Sequence, residues 1–145
     1  MAAAMVMDVS VESLIAYIGH DGSEIVFPDL PGPACRAGFD IQEIIDAAWS
    51  MGWSVTPIEA RPRVTPDGTH VRDLFSENKI ALRMKHYFKD NNGVVVGERL
   101  FGERRWWHAI AWDHVTRMWY DPRGPILPFE TPPIAIATFW IFSKR

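Results

Sequence analysis

His108-Ala109-Ile110-Ala111-Trp112-Asp113, followed by Met118-Trp119-Tyr120-Asp121-Pro122-Arg123-Gly124, is the stretch on which the fold turns. Two short aromatic and apolar runs flank His114 to Arg117, and Asp-Pro-Arg-Gly supplies a turn after them, so the stretch reads as a β-hairpin. Strand side chains alternate between faces, which puts His108, Ile110 and Trp112 on one side of the ribbon. An even-numbered connection centred near Val115 and Thr116 would set Asp121 opposite Ile110 or Trp112, on that same side. With Ile110 opposite, His108 and Asp121 become diagonal neighbours about 7 to 8 Å apart at the backbone, within side-chain reach. A carboxylate at that spacing can orient an imidazole, and an oriented imidazole is two parts of a nucleophilic triad. Asp121 in Asp-Pro-Arg-Gly also suits a turn in which the carboxylate caps the backbone, and the two roles are compatible.

Helical patterns precede the hairpin. Ser10 to Ile18 reads as a helix capped by Asp8 or Ser10 and ended by Gly19. After the proline-rich connection from Pro28 to Pro33, Asp40-Ile41-Gln42-Glu43 starts a second helix as a capping box, with an apolar stripe of Ile41, Ile44, Ile45, Ala48 and Trp49 and Gly52 as its C-cap. Trp53 to Glu59 resembles a strand, Arg61 to Thr69 a polar loop, and Asp73 to Lys89 a helix of untidy pattern. Beyond the turn at Asp90-Asn91-Asn92-Gly93, the spacing predicts strands over Val94 to Leu100, Trp107 to Asp113, Met118 to Asp121 and Ile134 to Phe142. Helices first and an antiparallel sheet after them make an α+β chain.

Composition bounds the function. The chain has 145 residues and 48% hydrophobic content, enough for one domain with one continuous core. A net charge of −3 supplies no electrostatic footprint for nucleic acid, although Arg99, Arg104, Arg105, Arg117 and Arg123 make the C-terminal half locally basic. The single cysteine excludes an internal disulfide framework and fits a reducing compartment. No apolar run reaches the roughly 20 residues of a membrane span, and the opening Met-Ala-Ala-Ala-Met lacks the basic start and apolar region of a signal peptide. The expectation is therefore a cytoplasmic protein. His20, His70, His86 and His114 have no metal-ligand spacing, so neither metal nor cofactor is expected.

Several segments together carry a resemblance. The start Met5-Val6-Met7-Asp8-Val9-Ser10-Val11-Glu12-Ser13-Leu14, then Gly38-Phe39-Asp40-Ile41-Gln42 to Gly52-Trp53, then Gly93-Val94-Val95-Val96, His108-Ala109-Ile110-Ala111-Trp112 and Tyr120-Asp121-Pro122 resembles the papain-like cysteine peptidases. The likeness is greatest to the small bacterial and phage members akin to bacteriocin-processing, double-glycine peptidases. It spans nearly the whole chain, except for about 61 to 89, which look like an inserted loop and helix. The resemblance implies a single papain-like domain over residues 1–145, its N-terminal helices packed on a C-terminal antiparallel sheet. It also implies hydrolysis of a peptide or isopeptide bond, with a thiolate as nucleophile, His108 as base and then acid, and Asp121 orienting His108.

One position departs from the pattern. In that family an Asp-Cys pair opens the first helix and its cysteine is the nucleophile, whereas the aligned residues here are Asp8-Val9. Val9 thus stands at the expected nucleophile position without a nucleophilic atom. Cys35, the only thiol, is the candidate substitute; the alternative is an ordinary loop cysteine packed on the core. Ser10 adjoins the position but points about 100° away around a helix and is better explained as a cap. Two readings follow: a peptidase-type hydrolase with an altered nucleophile position, or an inactive pseudopeptidase that binds a peptide or partner protein, a phage-encoded modulator of a host system being one form of it.

Overall fold

The computed structural model describes residues 1–22, 39–59, 77–101, 104–122, 126–128 and 135–145. Cys35, the connection from 28 to 33, the loop from 61 to 69 and the Arg123-Gly124 end of the expected turn after the hairpin lie outside the described residues. Among the described residues the helices are α1 (Ala2–Met7), α2 (Val11–Ile18), α3 (Ile41–Ser50) and α4 (Glu77–Tyr87). The strands are β1 (Trp53–Glu59), β2 (Asn92–Phe101), β3 (Arg104–Asp113), β4 (Met118–Tyr120), β5 (Ile126–Pro128) and β6 (Ala135–Lys144). They form one antiparallel sheet in the order β1-β6-β2-β3-β4-β5, and the chain is α+β.

Local chemistry explains most of the boundaries. Ser10 caps α2 by accepting the Ser13 N–H at 3.1 Å, and Gly19 closes it in the left-handed region at φ 92°. Asp40 and Glu43 complete the capping box of α3: Asp40 Oδ1 accepts the Gln42 N–H at 2.9 Å, and Glu43 Oε2 accepts the Asp40 N–H at 2.7 Å. Helix α3 stops at Ser50, with Met51 as its C-cap and Gly52 following at φ 84°. The stripe expected to bury Ile41 and Trp49 is rotated. Ile44, Ala47 and Ala48 are the buried residues, and Trp49 is 59% exposed, with the Arg145 guanidinium 3.6 Å above its ring.

Alternation along the strands divides the core into two layers. On one face of the sheet, α1, α2 and α3 pack through Ala2, Ala3, Ala4, Val6, Leu14, Ala47 and Ala48 on Val94, Ala111 and Phe142. On the other, Met84 of α4 and Phe88 just past its end pack on Val95, Ile110, Trp112, Trp119, Phe139 and Ile141. There Trp112 and Trp119 lie 4.9 Å apart, and the Trp112 indole N–H donates to the Phe88 carbonyl at 2.9 Å. The helix in the stretch expected as an insertion therefore packs over one face of the sheet.

Candidate functional site

The β3–β4 hairpin is set by Asp113. Its Oδ1 accepts the Val115 N–H at 2.9 Å, its Oδ2 accepts the Thr116 hydroxyl at 2.9 Å, and its carbonyl accepts the Arg117 N–H at 2.9 Å. Arg117 takes a left-handed conformation at φ 56° and completes a four-residue connection, an even number. The register follows as Asp113 with Met118, Trp112 with Trp119 and Ala111 with Tyr120. One step further along the same register, Asp121 falls opposite Ile110 and diagonal to His108.

The two side chains meet there. His108 Nε2 lies 2.6 Å from Asp121 Oδ1, and the side chains are only 12% and 1% exposed. A carboxylate can only accept, so Nε2 carries the proton and donates it. Asp121 is the one charged or polar residue fully buried among the described residues, in a setting where a carboxylate requires charge-assisted partners. No break interrupts β3 against β2 between Trp112 and His108, so His108 shares the face of Ile110 and Trp112, the face covered by α4.

The other residues singled out from the sequence fall elsewhere. Val9 is half-buried against the layer of α1, α2 and α3, on the opposite face of the sheet from His108. Ser10 is occupied as a helix cap and also bonds the Ser13 hydroxyl at 3.0 Å. Cys35 is outside the described residues. The structure thus brings His108 and Asp121 together and sets Val9 apart from both. A cavity of about 400 Å³ lies on the Val9 side of the sheet, among Ala3, Val11, Ile15, Phe39, Val96 and Trp140, and takes no part in the pair.

Two features are not apparent from the sequence pattern. Asn92 ties α1 to the hairpin: its Nδ2 donates to the Val6 carbonyl at 3.0 Å, while its Oδ1 accepts both the His114 N–H at 3.1 Å and His114 Nδ1 at 2.7 Å. Gly97 is the cross-strand partner of His108. The interruption of Val94-Val95-Val96 by a glycine is the signal that could have found it. Among the described residues, no group of three or more His, Cys, Asp or Glu side chains is placed to hold a metal ion. No described helix is long and apolar enough to cross a membrane.

No family model, no curated protein and no solved structure matches this chain. The class that fold and site define is an α+β protein with a buried His–Asp pair on one face of an antiparallel sheet.

Proposed function

We propose that the protein is a peptidase-type hydrolase of papain-like architecture, in which His108, held by Asp121, moves the proton during attack on a peptide or isopeptide bond. The observation that carries this reading is the 2.6 Å contact between His108 Nε2 and an almost fully buried carboxylate. An imidazole fixed in one tautomer and one orientation is poised for general acid–base work. Asp121 takes Nε2, so proton transfer runs through Nδ1. Cys35, the only thiol, is the candidate nucleophile; Val9 offers no atom for the purpose.

In this reaction Nδ1 takes the thiol proton as the sulfur attacks the carbonyl carbon. The imidazolium returns that proton to the leaving nitrogen as the C–N bond breaks. Water, deprotonated by the same imidazole, then releases the acid from the thioester. The test combines iodoacetamide labelling across pH with cleavage of a panel of internally quenched peptides by wild type, Cys35→Ser and His108→Ala. Labelling of Cys35 at mildly acidic pH and cleavage lost in both variants are expected. A thiol that reacts only at alkaline pH sinks its nucleophilic role, and cleavage surviving His108→Ala sinks the proposal.

A second reading is favoured by the place of Val9. With an aliphatic side chain at the position where the resemblance expects the nucleophile, a pseudopeptidase would keep the sheet face to bind a peptide or partner protein without cleaving it. Peptide capture without turnover, unaffected by Cys35→Ser, is its expected signature.

A further inference from the structure

Between the end of α1 and the β3–β4 hairpin lies a cleft of about 300 Å³. One wall is α1, with Met5 and Asp8; the other is the hairpin, with Asp113, Val115 and Tyr120. Asn92 stands between them and fixes their separation, because its Nδ2 donates to the Val6 carbonyl while its Oδ1 accepts both the backbone N–H and the Nδ1 proton of His114. The cleft is thus preformed, and a ligand does not have to order it. His108 and Asp121 form no part of its walls, so it is separate from the site of the proposed hydrolysis.

Each wall presents one apolar side chain and one carboxylate. Met5 is 46% exposed, and Val115, in a hairpin connection where polar residues are the rule, is 77% exposed. The Asp8 side chain is exposed and has neither a hydrogen bond nor an ion pair among the described residues. The Asp113 carboxylate is held by the Val115 N–H and by the Thr116 hydroxyl, which accepts in turn from the Tyr120 hydroxyl, and no cation among the described residues pairs with it. Arg117, the cation within the same hairpin, is exposed and is not one of the walls. Two carboxylates lining one cleft repel each other, and their open lone pairs suit donors that carry positive charge. We propose that this cleft binds an arginine side chain of a partner polypeptide. The methylene stem lies between Met5 and Val115, and the guanidinium serves Asp8 and Asp113 together. Arginine suits the cleft better than lysine on two counts. Its planar fork offers five donors to two carboxylates, one of which already accepts two hydrogen bonds, and it is more weakly hydrated than an ammonium, as apolar walls require. The net charge of −3 draws such a partner from a distance.

The probe is the capped peptide acetyl-Gly-Gly-Arg-Gly-Gly-amide, compared with counterparts in which arginine is replaced by citrulline, its uncharged isostere, or by lysine. Each is titrated into the isotopically labelled full chain, and binding is read from amide chemical shifts. Saturable shifts clustered at Asp8, Asn92 and Val115 are expected, with the arginine peptide binding about tenfold more tightly than the citrulline peptide and more tightly than the lysine peptide. Asp8→Asn retains a residue that tolerates the left-handed conformation at φ 54°, and since the position is exposed the loss of affinity should be about threefold. Raising the salt to about 0.5 M should weaken the arginine peptide and leave the citrulline peptide unchanged. Equal affinity for arginine and citrulline, shifts that map elsewhere, or an Asp8→Asn titration identical to wild type overturns the proposal. A lysine peptide that binds as tightly overturns the choice of arginine. Shifts at the same residues on dilution of the protein alone would assign the cleft to a second copy and overturn the partner polypeptide. Cleavage is not part of the readout, so the result stands whether or not the protein is a hydrolase.

Discussion

A single register decides the candidate site. His108 and Asp121 are 13 residues apart and meet because the connection between their strands has four residues; one residue more or fewer would turn Asp121 to the other face. That much is legible in the chain, since the alternation of His108, Ile110 and Trp112 and the four-residue break from His114 to Arg117 are sequence facts. The depth of Asp121 is not, because burial of a carboxylate depends on what the rest of the chain lays over it. Truncating one member of a buried pair leaves the other with an unmet polar group. Asp121→Ala should therefore destabilise the protein by roughly 3 to 5 kcal/mol in urea denaturation. Asp121→Asn keeps the volume and one acceptor oxygen, so its cost should be clearly smaller, with the downfield His108 proton weakened in parallel. Equal costs for the two variants would show that neither the retained volume nor the remaining acceptor oxygen contributes, and that only the full carboxylate satisfies the site.

At the level of elements, legibility follows the presence of local chemistry. The strand β1 is legible over its full range, and α2 and α3 are legible from their caps, because a capping side chain announces a helix start independently of tertiary packing. Helix α1 escapes the sequence reading for the converse reason. Met1, its N-cap, makes no side-chain hydrogen bond, and its alanines and apolar residues show no amphipathic contrast. Only burial against Ala111 and Val94 makes it a helix worth forming, and both of those residues lie far along the chain. Strand β5 escapes it because three residues carry too little period to read. The rotated stripe of α3 reflects the C-terminal Arg145, which stacks on Trp49 and bonds its carbonyl, so that a large aromatic stays at the surface without being bare. For α3 the local account makes a quantitative expectation. Asp40→Ala removes the acceptor for the Gln42 N–H and should cost about 1 kcal/mol by thermal denaturation. Asp40→Ser should cost less than half of that, and an equal loss in both would mean that the cap does not set the start of the helix.

On the scale of the whole molecule, the sheet is a partition. Helices α1, α2 and α3 cover one face, with Val9 packed among them, while α4 covers the face that carries His108 and Asp121. Linear order alone could not show this: Asp8-Val9 precedes a helix and His108 lies on a later strand, but which face each takes depends on register and on where helices dock. A thiol introduced at position 9 would lie with the first layer and be separated from the imidazole by the sheet itself. Val9→Cys is therefore expected to give a thiol of ordinary reactivity, labelled by iodoacetamide mainly above neutral pH, and no gain in peptide cleavage. The control is Val9→Cys/His108→Ala, which should label with the same pH profile as the single variant, because the imidazole does not reach position 9. If Val9→Cys instead gained low-pH labelling or cleavage that His108→Ala abolished, the side chain at 9 would have to share the His108 face, and the two-layer partition would be wrong. Short of that result, any nucleophile that works with His108 must arrive from the α4 side of the sheet.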